Sequence, residues 1–352
     1  MMKRGTHVTS TVVVSSRLGC LQEVVAGLEG AGCEVVLTPE PPPGKQLVFT
    51  PSQIAAYFRH ADGFIGSLGE RYSREVLEAG ERLKIGCSYV IGTENIDVEA
   101  ATELGIAVAY GAAPETFIGV AEAVVLLTAA LLKGLPAKQE AVRSGGWKPP
   151  HPGRMVWKRT IGLVGLGNIG RQVAIRLQGW DCKVIAADPY VSSEAAAELG
   201  VQMVDLNTLL RVSDVVSLHV VLTPETHHLI GERELSLMRP DAYLVNTSRG
   251  AAVDEAALCR ALDSGRLAGV GIDAWEREPA AADHSLRNHP RAIATGHNIG
   301  HSEECYAALA VAAVENTLRG LRGEEPLYLR NPRVLPAWRE RLDRLTAPVI
   351  NA

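Results

Sequence analysis

The chain has 352 residues, 47% of them hydrophobic, with a formal net charge of −5. That length exceeds one typical doubly wound unit and the apolar content is ample for large cores, so two domains are expected. The acidic balance without a dense Lys/Arg tract argues against nucleic acid as a partner, and the scattered cysteines, with no C-x-x-C pair, argue against a zinc or disulfide framework.

In chain order, strand signals at Thr11–Val14, Cys33–Leu37, Gly63–Gly66, Leu83–Gly86 and Gly105–Ala109 alternate with helical stretches and predict a first doubly wound α/β domain. Ile118 to Leu132 then reads as a long buried helix leading out of it. The apolar part, Val120 to Leu132, is interrupted by Glu122 and reads as too short to span a bilayer, so no membrane contact is expected. The N-terminus carries no signal-peptide h-region, which predicts a cytoplasmic protein. Ser144 to Gly153, rich in Gly and Pro, is a loop. A second set of strands follows at Lys183–Ala187, Val215–His219, Tyr243–Asn246, Gly269–Asp273 and Ala292–Thr295, and a helix over Ala307–Leu321 is placed to return to the first domain.

The second set opens on Thr160-Ile-Gly-Leu-Val-Gly165-Leu-Gly167-Asn168-Ile169-Gly170, an apolar strand breaking into G-x-G-x-x-G. Gly165 permits the tight turn, Gly167 lets backbone N–H groups approach a dinucleotide pyrophosphate, and Gly170 allows close helix-strand packing, with Asn168 and Ile169 in the cofactor-binding turn. The N-terminus of the helix adds unpaired donors for the anion. Asp188 ends the next strand 18 residues after Gly170, where an acid accepts hydrogen bonds from the adenosine ribose; the following Pro189-Tyr-Val-Ser-Ser holds no Arg or Lys for a 2′-phosphate. NAD is therefore expected over NADP. The plain alternative for Asp188 is a turn cap after a strand.

Open parallel sheets place their ligands at the carboxyl ends of the strands. Arg249 follows the strand ending at Asn246, Glu278 follows the one ending at Asp273, and His297 follows the last strand. Arg249 alone reads also as an exposed surface residue, and a lone His or Glu in such a place reads more readily as a structural or solvated one. Together they supply an anion-binding guanidinium, a general acid–base and a carboxylate to orient it.

The order and spacing of Gly165 to Gly170, Leu222-Thr-Pro-Glu-Thr226, Asn246-Thr-Ser-Arg249-Gly-Ala-Ala-Val-Asp254-Glu, Gly271-Ile-Asp273, Glu278-Pro279 and His297 before Gly300 resemble the D-isomer-specific 2-hydroxyacid dehydrogenase family along about the whole chain. The resemblance implies a flavodoxin-like substrate domain, residues 1–115 and 305–352, with an inserted Rossmann NAD-binding domain, residues 116–304. It further implies that Arg249, Glu278 and His297 are catalytic, that Asp273 contacts the nicotinamide carboxamide, that the domains close around a small anionic substrate, and that the protein is a homodimer. The implied reaction interconverts a 2-hydroxy acid and its 2-oxo acid by hydride transfer, without a metal.

Departures from the family pattern bear on the substrate. The family's G-x-G-x-D-N-x-D loop corresponds to Val90-Ile91-Gly92-Thr-Glu94-Asn95-Ile-Asp97, in which Ile91 and Gly92 are the expected substrate-binding donors and the β-branched Val90 puts the loop geometry in question. Ser88 stands where phosphoglycerate-type members have Arg. Gly296 replaces the usual Pro before the catalytic His. Two further readings stay open at this stage: a dehydrogenase of a phosphonate-type substrate, and a corepressor-like module that binds protein under control of NAD(H).

Overall fold

The computed structural model describes residues 9–40, 46–149 and 151–346. Two compact units form, one from Met1–Thr116 with Ser302–Ala352 and the other from Phe117–His301, where limits at 115/116 and 304/305 are expected.

The first unit is built on strands Thr11–Val14 (β1), Glu34–Leu37 (β2), Leu47–Val48 (β3), Gly63–Gly66 (β4), Glu70–Arg71 (β5), Ile85–Ser88 (β6) and Ala107–Tyr110 (β7). β3 and β5 pair with each other; the other five form one parallel sheet in the order β2-β1-β4-β6-β7. Counting only those five, this is the flavodoxin-like order. Val12, Val13 and Val14 are fully buried, as β-branched residues of a sheet covered on both faces should be. β6 and β7 each start two residues later than the sequence predicts. The Leu83 N–H closes a turn onto Gly80 O, and Gly105, at φ +69°, ends the helix Val98–Glu103 before extension can begin.

The helix Glu303–Leu321 packs onto this sheet through Leu309, Ala310 and Ala313, in one core with Val12, Ile65 and Cys87. Beyond it lies structure that the sequence reading did not place. Tyr110 N–H donates to Tyr328 O (3.2 Å), Arg330 N–H to Val108 O (2.7 Å) and Val108 N–H to Asn331 Oδ1 (2.8 Å), so the edge of β7 is covered. In the following helix, Leu335–Thr346, Trp338 is buried and donates to Lys84 O, while the Arg341 guanidinium donates to the carbonyls of Leu83, Leu104 and Gly80.

The second unit contains Thr160–Val164 (β8), Lys183–Ala187 (β9), Gln202–Met203 (β10), Val215–Leu218 (β11), Tyr243–Asn246 (β12), Gly269–Ile272 (β13) and Ala292–Ala294 (β14). They form one parallel sheet in the order β10-β9-β8-β11-β12-β13-β14, the Rossmann order extended by a seventh strand. The strand order reverses between β8 and β11, so the crevice for a ligand opens above Gly165 and His219.

The helix Pro114–Leu132 starts earlier than the apolar run suggests. At 19 residues with mean hydropathy 1.9 it is long and apolar enough to cross a membrane by length and composition alone, which corrects only the reading that this stretch is too short. Half of it is buried in the fold: Ala121, Val124, Leu127 and Leu131 join the core of the second unit, and Leu127 lies against Gly271 of β13.

Candidate active site

The glycine turn has the shape a dinucleotide requires. Gly165 holds φ +97°, and a Cβ there would lie 2.7 Å from His219 O; one on Gly170 would lie 2.4 Å from Gly165 O. Neither position admits a side chain. Gly167 is different: nothing lies within 4 Å of its missing Cβ, and as N-cap of the helix Asn168–Leu177 it supplies no capping side chain. Open space therefore sits over uncapped first-turn N–H groups that include Asn168 and Ile169, which suits a pyrophosphate.

Asp188 joins both readings of its role. Its Oδ2 accepts the Leu166 N–H (2.8 Å), fixing the glycine turn, and its Oδ1 accepts the Tyr190 N–H (2.8 Å). Each oxygen keeps a second lone pair, so the turn cap is also a competent ribose acceptor. His219 escaped the sequence reading. Both its ring nitrogens are buried without a hydrogen-bond partner, and burial depresses its pKa to about 4. A neutral imidazole with unmet hydrogen bonds beside the glycine turn again fits a polar group bound there.

The catalytic candidates converge at the carboxyl ends of β12, β13 and β14. His297 Nδ1 lies 2.7 and 2.8 Å from the two carboxylate oxygens of Glu278. Because a carboxylate only accepts, Nδ1 carries the hydrogen and Nε2 is left for proton transfer. The Glu278 carboxylate is itself oriented by the Trp275 N–H (3.0 Å). Both side chains are about one-third exposed, at 33% and 37%, so the pair is reachable rather than entombed.

Arg249 acts electrostatically on both members of the pair. The Glu278 hydrogen bond raises the His297 pKa above its ordinary value; burial and the Arg249 charge oppose this, and the charges of Glu278 and Asp273 support it. Burial alone would raise Glu278, but the hydrogen bond and charge of His297, the Trp275 N–H and the Arg249 charge together hold it below the usual range. His301 is lowered by burial and by His297, so of the two imidazoles it is His297 that holds a proton more readily.

Local structure places these groups. Asn246 Oδ1 accepts from the N–H and the hydroxyl of Ser248, and its amide donates to Arg249 O (3.0 Å), folding the chain tightly after β12. Asp273 is buried, and its Oδ1 gathers Thr295 Oγ1 (2.6 Å) and the N–H groups of Asn298 and Ile299, while its carbonyl accepts the His297 N–H (2.8 Å). His297 is held at φ +56°, a conformation uncommon outside glycine. The unusual backbone thus falls on the histidine itself and not on Gly296, which is not among the positive-φ glycines.

The expected substrate loop belongs to the first unit. No residue from Val90 to Asp97 has a positive φ, so Val90 is accommodated without the strain its branching would cause. Much of the motif is structural: Asn95 Nδ2 donates to Ser67 O (2.6 Å), and Asp97 caps the helix Val98–Glu103 through the Ala100 N–H. Ser88 is fully buried and its hydroxyl donates to Gly92 O (2.5 Å), which places Gly92 beside Ile91 at the turn of the loop. Among the described residues no cluster of His, Cys, Asp or Glu could hold a metal.

Residues 125–298 match the family described as D-isomer specific 2-hydroxyacid dehydrogenase, NAD binding domain. The chain is 39% identical to the glyoxylate reductase of Korarchaeum cryptofilum over 303 residues, which cover 84% of this chain and 89% of that one. The chain belongs to the D-isomer-specific 2-hydroxyacid dehydrogenase family. It is 35% identical to the D-3-phosphoglycerate dehydrogenase of Methanocaldococcus jannaschii over 78% of its own length, but spans only about half (52%) of that relative. A crystal structure of a glyoxylate reductase from Paecilomyes thermophila matches with a TM-score of 0.80 at 27% identity, covering 92% of this chain and 98% of that one. Membership in this dehydrogenase family bears out the expected fold class, the class of reaction and NAD as cofactor, and favours neither the corepressor-like nor the phosphonate reading.

Proposed function

We propose that this 2-hydroxyacid dehydrogenase reduces a small, unphosphorylated 2-oxo acid of the glyoxylate type, with His297 as proton donor, Glu278 as its partner and Arg249 as the anchor of the carboxylate. The observation that carries this reading is the His297–Glu278 pair under the influence of Arg249. A histidine whose pKa is raised by its carboxylate partner keeps its proton to higher pH and can give the Nε2 proton to a carbonyl oxygen, which favours the reducing direction. The nicotinamide, when bound, supplies the hydride. Arg249 offers fixed N–H donors that bind a carboxylate and draw charge from the adjacent carbonyl. Gly165, Gly167, Asn168, Ile169 and Gly170 would hold the pyrophosphate, Asp188 the adenosine ribose and Asp273 the carboxamide; Ile91 and Gly92 would bind the acid.

The unphosphorylated substrate follows from Ser88, whose hydroxyl is buried and spent on Gly92 O where phosphoglycerate-type members carry Arg. Assaying NADH oxidation with glyoxylate, hydroxypyruvate and 3-phosphohydroxypyruvate tests this. Glyoxylate or hydroxypyruvate should turn over best, and Arg249→Ala should lower kcat/KM by about 10- to 100-fold, the value of a charge-assisted hydrogen bond to a carboxylate. Preferential turnover of the phosphorylated acid would overturn the assignment.

We further propose a homodimer formed through the second unit. What supports this reading is that, within its residues 126–157, Leu126, Val142, Trp147 and Met155 are 59%, 56%, 78% and 54% exposed. Sedimentation equilibrium at micromolar concentration should give twice the 37.6 kDa chain mass, and Trp147→Asp should shift it toward the monomer; a native protein sedimenting as a monomer would refute the dimer.

A further inference from the structure

Behind the proposed catalytic pair lies a second set of carboxylates and histidines that the reaction does not use. Glu255, the first residue of the helix Glu255–Asp263, is buried, and its Oε1 accepts the backbone N–H of Glu276 (2.7 Å). Glu276 Oε2 returns the contact by accepting the backbone N–H of Glu255 (3.4 Å). The outer oxygens are also taken: His284 Nε2 lies 3.1 Å from Glu255 Oε2, and His228 Nε2 lies 2.8 Å from Glu276 Oε1. His284 Nδ1 accepts the Leu286 N–H (3.3 Å), so its hydrogen is on Nε2, pointed at Glu255. The His284 ring stands edge-on to Trp275 at 5.3 Å.

Of the two contacts in this latch, the one from the Glu255 carboxylate grips the Trp275–Glu276 peptide itself, and that peptide adjoins the supports of Glu278 and Arg249. The Trp275 N–H, on the other side of the Trp275 Cα from that peptide, donates to a Glu278 oxygen that faces His297. The peptide's backbone atoms fill the space where a Cβ on Gly250, the neighbour of Arg249, would sit. A carboxylate pivots freely about its terminal torsion unless donors fix it, so the placement of the Trp275 backbone, held on its C-terminal side by Glu255, bears on the angle at which Glu278 meets the imidazole.

Resting on the proposed roles of Glu278 and His297, we infer that Glu255 is a positioning residue: by holding the Trp275–Glu276 peptide it keeps Glu278 aligned on His297 and thereby keeps His297 competent to deliver its proton. The charged and titratable groups acting on His297 are Glu278, Arg249, Asp273 and His301; those on Glu255 are His284 and, through Glu276, His228.

The test is Glu255→Ala in the full chain, read by steady-state kinetics and by NMR titration of the His297 imidazole. The expected result is a fall in kcat of about 10- to 100-fold with KM for the oxo acid unchanged. The alkaline limb of the pH profile and the imidazole titration should both move to lower pH, and Glu255→Gln, which keeps an acceptor for the Glu276 N–H, should recover most of the rate. Glu276→Ala keeps its own N–H on Glu255 and removes only the return contact, from a more exposed position, so it should give a smaller shift in the same direction; an unmoved titration there overturns the inference if Glu255→Ala does not fold. A folded Glu255→Ala with an unmoved titration overturns the inference, and so does a loss of rate that merely follows a lowered melting temperature. Glu278→Gln separates the two levels: if it leaves the titration unmoved, the catalytic pair itself is misassigned and the latch falls with it. If it moves the titration and Glu255→Ala does not, only the latch falls.

Discussion

Removing the imidazole with His297→Ala should lower kcat for oxo-acid reduction by about 100- to 10,000-fold, the range that general acid catalysis contributes, while leaving NADH affinity nearly intact. The glycine turn and Asp188 lie at the ends of other strands, which is why cofactor binding should survive. Glu278→Gln should act differently. Its partner carboxylate is the foremost cause of the raised His297 pKa, against burial and the Arg249 charge. Reduction consumes the proton of the imidazolium, so the rate is flat below the His297 pKa and falls as pH rises through it. Without the Glu278 charge that pKa drops, and the fall should begin at lower pH. A pH–rate profile of kcat for the two proteins checks this directly; an alkaline limb that stays put, or moves up, would contradict the assigned roles.

The second large effect belongs to Gly250→Ala. A Cβ there would come within 1.8 and 2.0 Å of the Trp275 carbonyl carbon and oxygen and 2.2 Å of the Glu276 nitrogen, all backbone atoms that cannot rotate away. Either the Arg249 turn or the Trp275–Glu276 peptide must shift. The expected cost is about 1–3 kcal/mol of stability from overpacking, together with roughly a 100-fold loss of kcat/KM from misplaced groups. Gly167→Ala is the contrast: with nothing within 4 Å of the new methyl, the fold should keep its stability and only cofactor binding should suffer. Urea unfolding midpoints measured beside kcat/KM for both variants distinguish the two glycines, and equal stability of Gly250→Ala and the parent chain would sink the argument.

The convergence of the proposed catalytic residues was legible because each member follows a strongly apolar strand and the strand ends of a parallel sheet face one way. Asn246, Asp273 and Ala294 could be recognised as ends or neighbours of ends, so Arg249, Glu278 and His297 could be placed without knowing any side-chain contact. The glycine motif was legible for a similar reason: Gly165 and Gly170 mark positions where backbone must meet backbone. What escaped the sequence is held by contacts without local periodicity. Glu255 and His284 are separated by a helix, a strand and a loop, and nothing near either residue signals that they pair. His219 reads in the sequence as only the last residue of a strand, and its buried, unpartnered nitrogens alone single it out. The question over Val90 came from comparing residue types, whereas the chain solves that loop without any left-handed residue.

The discontinuity of the first unit has a consequence for synthesis. Phe117–His301 is one uninterrupted stretch, so it can complete its sheet as soon as it leaves the ribosome, and domains tend to fold in that vectorial order. The first unit cannot. Val108 meets Asn331 only at a sequence separation of 223, and Gly80 meets Arg341 at one of 261. Until residues 328–331 emerge, the nascent chain carries the open flank of β7 past an already folded neighbour, a flank available to any other strand it encounters. The segment around residues 328–331 that covers this flank therefore also takes one of the sheet's two edges out of reach of other strands in the newly made chain.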